Sequence, residues 1–272
     1  MQPISPFRVL LVGAAGRMGR AIARLLADPA SGFPLRLASA VDAVIPPDAA
    51  FWPVPLSTDL AQAAASGADV AIDFSSHAAA PATAAALAAA RIPWVLGTTG
   101  LSPAERDAVS AAASSIPVLF AANMSLGVNL LHALVRSAAS RLAGLGYDCE
   151  IIERHHRHKK DAPSGTALFL GQAAAEGYGW SLAETAVDGR SGATGERPER
   201  QIAFHAVRGG DILGDHTVLF AAEGELLELS HRITSRDTLA RGALRAAAWL
   251  AAGRPPRLYG MSDVLGLTGG AP

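Results

Sequence analysis

Seven residues near the N-terminus constrain this chain more than any others. Gly13-Ala14-Ala15-Gly16-Arg17-Met18-Gly19 places glycines at positions one, four and seven. An apolar run at 8–12 precedes them, and a stretch with helical spacing at 18–26 follows. In a strand, glycine turn and helix, the backbone turns tightly, approaches a pyrophosphate closely and offers it a helix N-terminus. The spacing departs from the commoner G-x-G-x-x-G, so context must carry the reading. A second apolar run at 35–41 ends in Asp42, roughly 20 positions beyond the turn, where a carboxylate accepts hydrogen bonds from ribose hydroxyls. The competing reading is a tight turn followed by a solvated aspartate. The motif predicts Gly13, Ala14, Ala15, Gly16, Arg17, Met18 and Asp42 as cofactor-binding residues.

The alternation continues. Strands are predicted at 70–74, 94–96 and 118–121, with helical sequence from about residue 60 and at 81–91. Ser102-Pro103-Ala104-Glu105 reads as a capping box with proline at the first helical position. Strand-helix alternation of this kind implies a doubly wound, Rossmann-type parallel sheet covered by helices. The second half changes character. A strand at 148–153 runs into a basic cluster, a helix opens at Ser164-Gly165-Thr166, and residues 189–200 form a long loop expected to be mobile. Segments 201–207, 217–222 and 226–233 read as antiparallel strands, and 238–252 as a final amphipathic helix. The expected division is a dinucleotide-binding domain at 1–127 and a smaller α+β domain with a mixed or antiparallel sheet at 128–237.

Composition narrows the function classes. The formal net charge is −1, which does not suit nucleic acid or an anionic membrane. The longest apolar run, 78–90, is too short for a membrane span and contains Pro81. Residues 1–8 show no basic region leading into an apolar core, so no signal peptide is expected. The one cysteine, Cys149, excludes an internal disulfide and fits a reducing cytoplasm.

Two turns, Gly97-Thr98-Thr99-Gly100 and Ala121-Ala122-Asn123-Met124, fall at the C-terminal ends of the fourth and fifth strands. Ligands of open α/β sheets bind along that edge. Gly97, Thr98, Thr99, Ala121, Ala122, Asn123 and Met124 are therefore either contacts for the nicotinamide half of a cofactor or ordinary strand-to-helix turns. His155-His156-Arg157-His158-Lys159-Lys160 is a run of six basic or ionisable residues. It reads as a solvated loop, as a metal site through His155 and His158 that lacks a third ligand, as a nucleic-acid patch, or as an anion-receiving catalytic cluster. The last reading is strengthened by Pro163-Ser164-Gly165-Thr166, a stiff turn into a helix start with free backbone N–H groups.

The segment from Glu153 through Lys159 and Asp161-Ala162-Pro163-Ser164-Gly165-Thr166-Ala167 resembles the signature of the bacterial dihydrodipicolinate reductase family. These enzymes, also called 4-hydroxy-tetrahydrodipicolinate reductases, belong to the diaminopimelate route to lysine. The glycine turn, Ile72-Asp73-Phe74-Ser75, Gly97-Thr98-Thr99-Gly100, Ala121-Ala122-Asn123-Met124 and Asp215-His216-Thr217 follow in the family's order. The resemblance implies NAD(P)H-dependent reduction of 4-hydroxy-tetrahydrodipicolinate, or of dihydrodipicolinate, to tetrahydrodipicolinate. It implies His155 as proton donor and acceptor, Lys159 as a proton donor, and His156, Gly165 and Thr166 as holders of substrate carboxylate. It implies no metal, a cytoplasmic homotetramer built through the second domain's sheet, and return of residues 238–272 to the cofactor domain.

This chain departs from the pattern in places. Many relatives carry an arginine after the acidic residue of the second strand, able to pair with a 2′-phosphate; here Ala43 follows Asp42, so NADH is expected to be preferred over NADPH. Lys160 stands where relatives often have a small apolar residue, and residues 43–57 form a short surface loop. The alternatives are another nicotinamide-dependent reductase, such as a semialdehyde or amino-acid dehydrogenase, and a non-catalytic nucleotide sensor of the same fold.

Overall fold

The computed structural model describes residues 6–49 and 52–267. The predicted absence of a leader at 1–8 and the loop at 43–57 therefore lie partly outside the described residues, as does the end of the 238–272 segment. The chain divides into two compact units, residues 1–125 with 237–272, and residues 126–236.

The first unit alternates strand and helix: β1 (Phe7–Val12), α1 (Arg17–Ala27), β2 (Leu35–Val41), β3 (Leu56–Ser57), α2 (Leu60–Ala65), β4 (Val70–Asp73), α3 (Ala80–Ala90), β5 (Trp94–Leu96), α4 (Pro103–Ala113) and β6 (Val118–Phe120). The second contains α5 (Leu126–Leu142), β7 (Asp148–His155), α6 (Gly165–Tyr178), α7 (Leu182–Thr185), β8 (Ala186–Asp188), β9 (Ile202–Arg208), β10 (Asp215–Ala222) and β11 (Glu225–Arg232). The chain then returns to the first unit as α8 (Thr238–Ala251), β12 (Leu258–Tyr259) and α9 (Met261–Val264).

Among the described residues, the first sheet has seven parallel strands in the order β12-β6-β5-β4-β1-β2-β3. The order reverses beside β1, so β1 and β4 flank the switch point where such sheets bind ligands. These strands are buried on both faces, with Val9, Leu10, Leu11, Val70, Ala71, Ile72, Val95 and Leu96 fully inaccessible. Continuous apolar runs of this kind are what a helix-covered parallel sheet requires. Helix α8 packs on β4, β5 and α1. It crosses so tightly that a Cβ at Gly242 would lie 1.8 Å from the Met124 carbonyl oxygen.

The second sheet runs β11-β10-β7-β9-β8. Sequence patterning predicts antiparallel strands throughout its second half, and that is corrected for one of them. β10 is antiparallel to both β7 and β11, but β9 is parallel to β7 and β8 is parallel to β9, which makes the sheet mixed. Strand direction depends on long-range pairing, to which a local alternation pattern is blind. The alternation itself is strict in β7: Cys149, Ile151, Glu153 and His155 share the buried face. The loop at 189–200 is irregular but tied down. Arg190 and Arg197 both bind Glu150, at 2.8 Å each, and Arg197 also reaches Asp148 at 2.6 Å. Burial would raise the Glu150 carboxyl, but hydrogen bonds from Arg190, His205 and Arg197 override it and hold it at about 2.

Candidate active site

In the first unit the glycine turn is built for backbone approach. Gly13 sits at φ +74, and a Cβ there would lie 2.6 Å from the Ser75 nitrogen. The turn after β1 therefore lies directly against the turn after β4. A Cβ at Gly19 would lie 2.2 Å from the Ala14 carbonyl oxygen. Gly16 is the N-cap of α1 and provides no side-chain cap, so the first-turn N–H groups stay available to an external anion. This cradle fits the pyrophosphate of a dinucleotide. Asp42 Oδ2 accepts the Ala15 N–H at 2.8 Å, which ties the end of β2 to the turn. Arg20 is held by Asp48 at 2.8 Å, whereas Arg17 is exposed and makes no ion pair among the described residues.

The turn after β5 is shaped by Phe74: a Cβ at Gly97 would lie 2.1 Å from its ring. Thr98 is buried and Thr99 is exposed. The Ala121 N–H continues the sheet ladder to Leu96, and Asn123 Oδ1 accepts the Ser125 N–H at 2.9 Å. Met124 is buried, so only its backbone can reach a ligand. Burial raises the Asp73 carboxyl, which accepts the Ser75 N–H at 2.8 Å and fixes the turn against Gly13.

In the second unit the end of β7 and the start of α6 meet. Ser164 caps α6, its Oγ accepting the Ala167 N–H at 3.2 Å. Gly165 and Thr166 form the first turn of α6, Gly165 being exposed with open space where a Cβ would stand. His155 is 9% exposed, and its Nδ1 lies 2.5 Å from Glu153 Oε2. Glu153 is completely buried; it also accepts the Ser164 N–H at 3.1 Å and both guanidinium nitrogens of Arg208 at 2.8 and 2.7 Å. Burial works to raise this carboxyl, but the hydrogen bonds from Arg208 and His155 prevail and lower it. The Ser164 hydroxyl also meets His216 Nε2 at 3.1 Å. Burial, aided by the charge of His155, pushes His216 down to about 4, so the ring is neutral near pH 7 and can accept the hydroxyl proton. Lys159 Nζ is held by both Asp161 oxygens at 2.9 and 2.8 Å. His156 is half-buried and its Nδ1 has no partner among the described residues.

The sequence-predicted residues His155, His156, Lys159, Gly165 and Thr166 thus lie on one strand, one turn and one helix start. Glu153, Arg208 and His216 complete the cluster; Glu153 and His216 fall within the motifs that carry the resemblance, but none of the three is among the predicted site residues. The period-two spacing of Glu153 and His155 on one strand is the signal that could have found the first of them. Among the described residues, no group of three or more His, Cys, Asp or Glu side chains is arranged to hold a metal, and no helix is long and apolar enough to cross a membrane. Cys149 is buried in the core, and burial pushes its thiol up to about 12, so it offers no nucleophile for semialdehyde chemistry.

A Rossmann sheet with a glycine cradle, joined to a unit bearing a histidine–lysine cluster, defines a dinucleotide-dependent oxidoreductase. Comparison with known proteins gives the particular family. Residues 7–124 match the family model for the N-terminus of dihydrodipicolinate reductase, and residues 127–265 match that for its C-terminus. The 4-hydroxy-tetrahydrodipicolinate reductase of Anaeromyxobacter dehalogenans strain 2CP-1 is 49% identical over 270 residues, covering 97% of this chain and 99% of its own. That of Thiobacillus denitrificans is 51% identical over 265 residues, covering 96% and 98%. A dipicolinate-bound dihydrodipicolinate reductase structure from Paenisporosarcina sp. TG-14 shares the fold with a TM-score of 0.74 at 22% identity, covering 95% of this chain and 99% of its own. The chain belongs to the dihydrodipicolinate reductase family and is an NAD(P)H-using reductase of lysine and diaminopimelate biosynthesis.

Proposed function

We propose that the substrate is 4-hydroxy-tetrahydrodipicolinate, bound by the second unit through its carboxylates and protonated by His155. The observation that carries this reading is the cationic turn, with Lys159 and His156, leading into the first turn of α6 at Gly165 and Thr166. Helix N-termini and ammonium groups together suit a carboxylate. A reduced nicotinamide dinucleotide, with its pyrophosphate in the first unit's glycine cradle, would supply a hydride when bound. Loss of the 4-hydroxyl as water makes the imine conjugated; hydride addition to it leaves negative charge on the ring, and a nearby cationic acid stabilises and quenches it. His155 gives up that proton from Nε2, while Lys159 adds fixed positive charge.

The same reading extends to the other residues of the cradle and to cofactor choice. Gly13, Ala14, Ala15, Gly16, Arg17 and Met18 would hold the pyrophosphate, and the turns at 97–99 and 121–124 the nicotinamide half. The Asp42 side chain accepts one hydrogen bond, from the Ala15 N–H, and its other oxygen has no partner among the described residues, which suits a ribose hydroxyl donor. A 2′-phosphate would meet that carboxylate as a like charge. Ala43 supplies no guanidinium, Arg20 is already paired with Asp48, and Arg17 is the cation that could still receive the phosphate. NADH is therefore expected to be preferred roughly tenfold, the equivalent of about 1.4 kcal/mol. Ala43→Arg should narrow or reverse the preference. The check is the ratio of kcat/KM values for the two cofactors, and a wild-type enzyme clearly better with NADPH would refute this account of Asp42 and Ala43.

A cytoplasmic homotetramer assembled through the second sheet belongs to the same reading. Strand β11 lies at that sheet's edge and leaves Leu226 and Leu227 exposed, which favours a covered face in an assembly. Light scattering on the purified chain is expected to give four chain masses; a monomer would remove the tetramer from the account.

A further inference from the structure

We propose that Glu153 is a positioning residue for the His155 imidazole, kept ionised for that task by Arg208. The inference rests on the reading of His155 as the proton donor. A fully buried carboxylate is costly unless paired, and the two hydrogen bonds from Arg208 supply the pairing. The remaining bonds connect the parts of the site. Oε2 accepts from His155 Nδ1, and Oε1 accepts from the N–H of Ser164, the N-cap of α6. One carboxylate thus fixes the ring of the proton donor and the start of the helix that offers Gly165 and Thr166.

The bond at Nδ1 has a chemical consequence. An ionised carboxylate only accepts, so the neutral ring carries its proton on Nδ1. That leaves Nε2 as the nitrogen that exchanges a proton with a ligand. The surroundings leave Nε2 room: a Cβ at Gly214 would stand 3.2 Å from it, and glycine keeps that space open. After Nε2 releases its proton, the ring is neutral with Nδ1–H still held by Glu153, and solvent returns the proton to Nε2. His216, whose ring lies edge-on at 5.1 Å, makes no hydrogen bond to His155 Nδ1: its Nε2 meets Ser164 and its own Nδ1 has no partner among the described residues. This is the orienting logic of a carboxylate behind a catalytic imidazole, here on a strand where residues two apart share a face.

The test uses the full chain. Glu153→Gln keeps the shape but replaces the acceptor with an amide that can donate to Nδ1 and favour the opposite tautomer. In steady-state assays its kcat is expected to fall about 10²-fold, within the 10²–10⁴-fold range of a general-acid contribution, with KM for substrate and for NADH little changed. The double variant His155→Gln/Glu153→Gln should be no slower than His155→Gln alone, because Glu153 acts through His155. Nitrogen-15 NMR of the neutral His155 ring should report Nδ1–H in the wild type and loss of that preference in Glu153→Gln. Glu153→Gln/Arg208→Met removes the guanidinium stranded by the first change and should stay slow. Unchanged kcat in Glu153→Gln, additive losses in the His155 double variant, or recovery of kcat on adding Arg208→Met would each overturn the inference. Near-normal kcat in His155→Gln would instead overturn the reading of His155, and the role of Glu153 with it.

Discussion

His155→Gln is expected to lower turnover by about 10²–10⁴-fold, the size of a general-acid contribution. The side chain stays polar and close in volume but no longer delivers a proton. Affinity for NADH should barely change, because the cradle at Gly13, Gly16 and Gly19 belongs to the first unit and makes no use of this ring. The fold should persist. His155 sits at the end of β7, and the core beneath the sheet is supplied by Ile151, Leu170, Phe204, Val218 and Phe220. Single-turnover kinetics with saturating NADH would isolate the chemical step. Near-normal turnover in a folded variant would end the assignment of His155 as the acid.

The second large effect is expected for Lys159→Met. In this structure the Lys159 ammonium is held by both oxygens of Asp161, and Asp161 in turn is lowered by that contact. Removing the ammonium does more than delete one attraction for a dicarboxylate. It leaves the Asp161 carboxylate without its ammonium partner beside the carboxylate receptor. A charge-assisted hydrogen bond contributes about 1.5–3 kcal/mol, which corresponds to roughly 10–150-fold in kcat/KM. KM should rise and kcat should fall. Thr166→Val, which removes a hydroxyl and keeps the shape, should raise KM with a smaller effect on kcat. If neither parameter moves in either variant, the dicarboxylate binds elsewhere.

Much of this architecture was legible because its signals are local. β2 and β5 begin and end where their apolar runs do, and the capping box at Ser102 forms as its spacing requires, with Glu105 reaching back to the Ser102 N–H. Helix α5 was not read. Gly127 and Asn129 in its first turn are poor helix formers and mask the start of the stripe Val128, Leu131, Val135 and Ala139. The parallel direction of β9 depends on pairing with β7 across more than fifty residues and leaves no local trace. The cluster was legible as a run of basic residues, but its control was not. Arg208 reaches Glu153 from 55 residues away, and His216 reaches Ser164 from 52. Asp42 was read toward a ribose, while its bond to Ala15 adds a second task, holding the glycine turn in place.

On the proposed reading, this chain transfers a hydride from reduced nicotinamide to a cyclic unsaturated dicarboxylate and places the proton with His155. The most direct measurement mixes the wild-type and His155→Gln proteins with NADH and freshly prepared 4-hydroxy-tetrahydrodipicolinate, following NADH oxidation and the appearance of tetrahydrodipicolinate together. The expected result is stoichiometric conversion by the wild type and a rate lower by about 10²–10⁴-fold for the variant. No substrate-dependent NADH oxidation by the wild type, or equal rates for the two proteins, would contradict it.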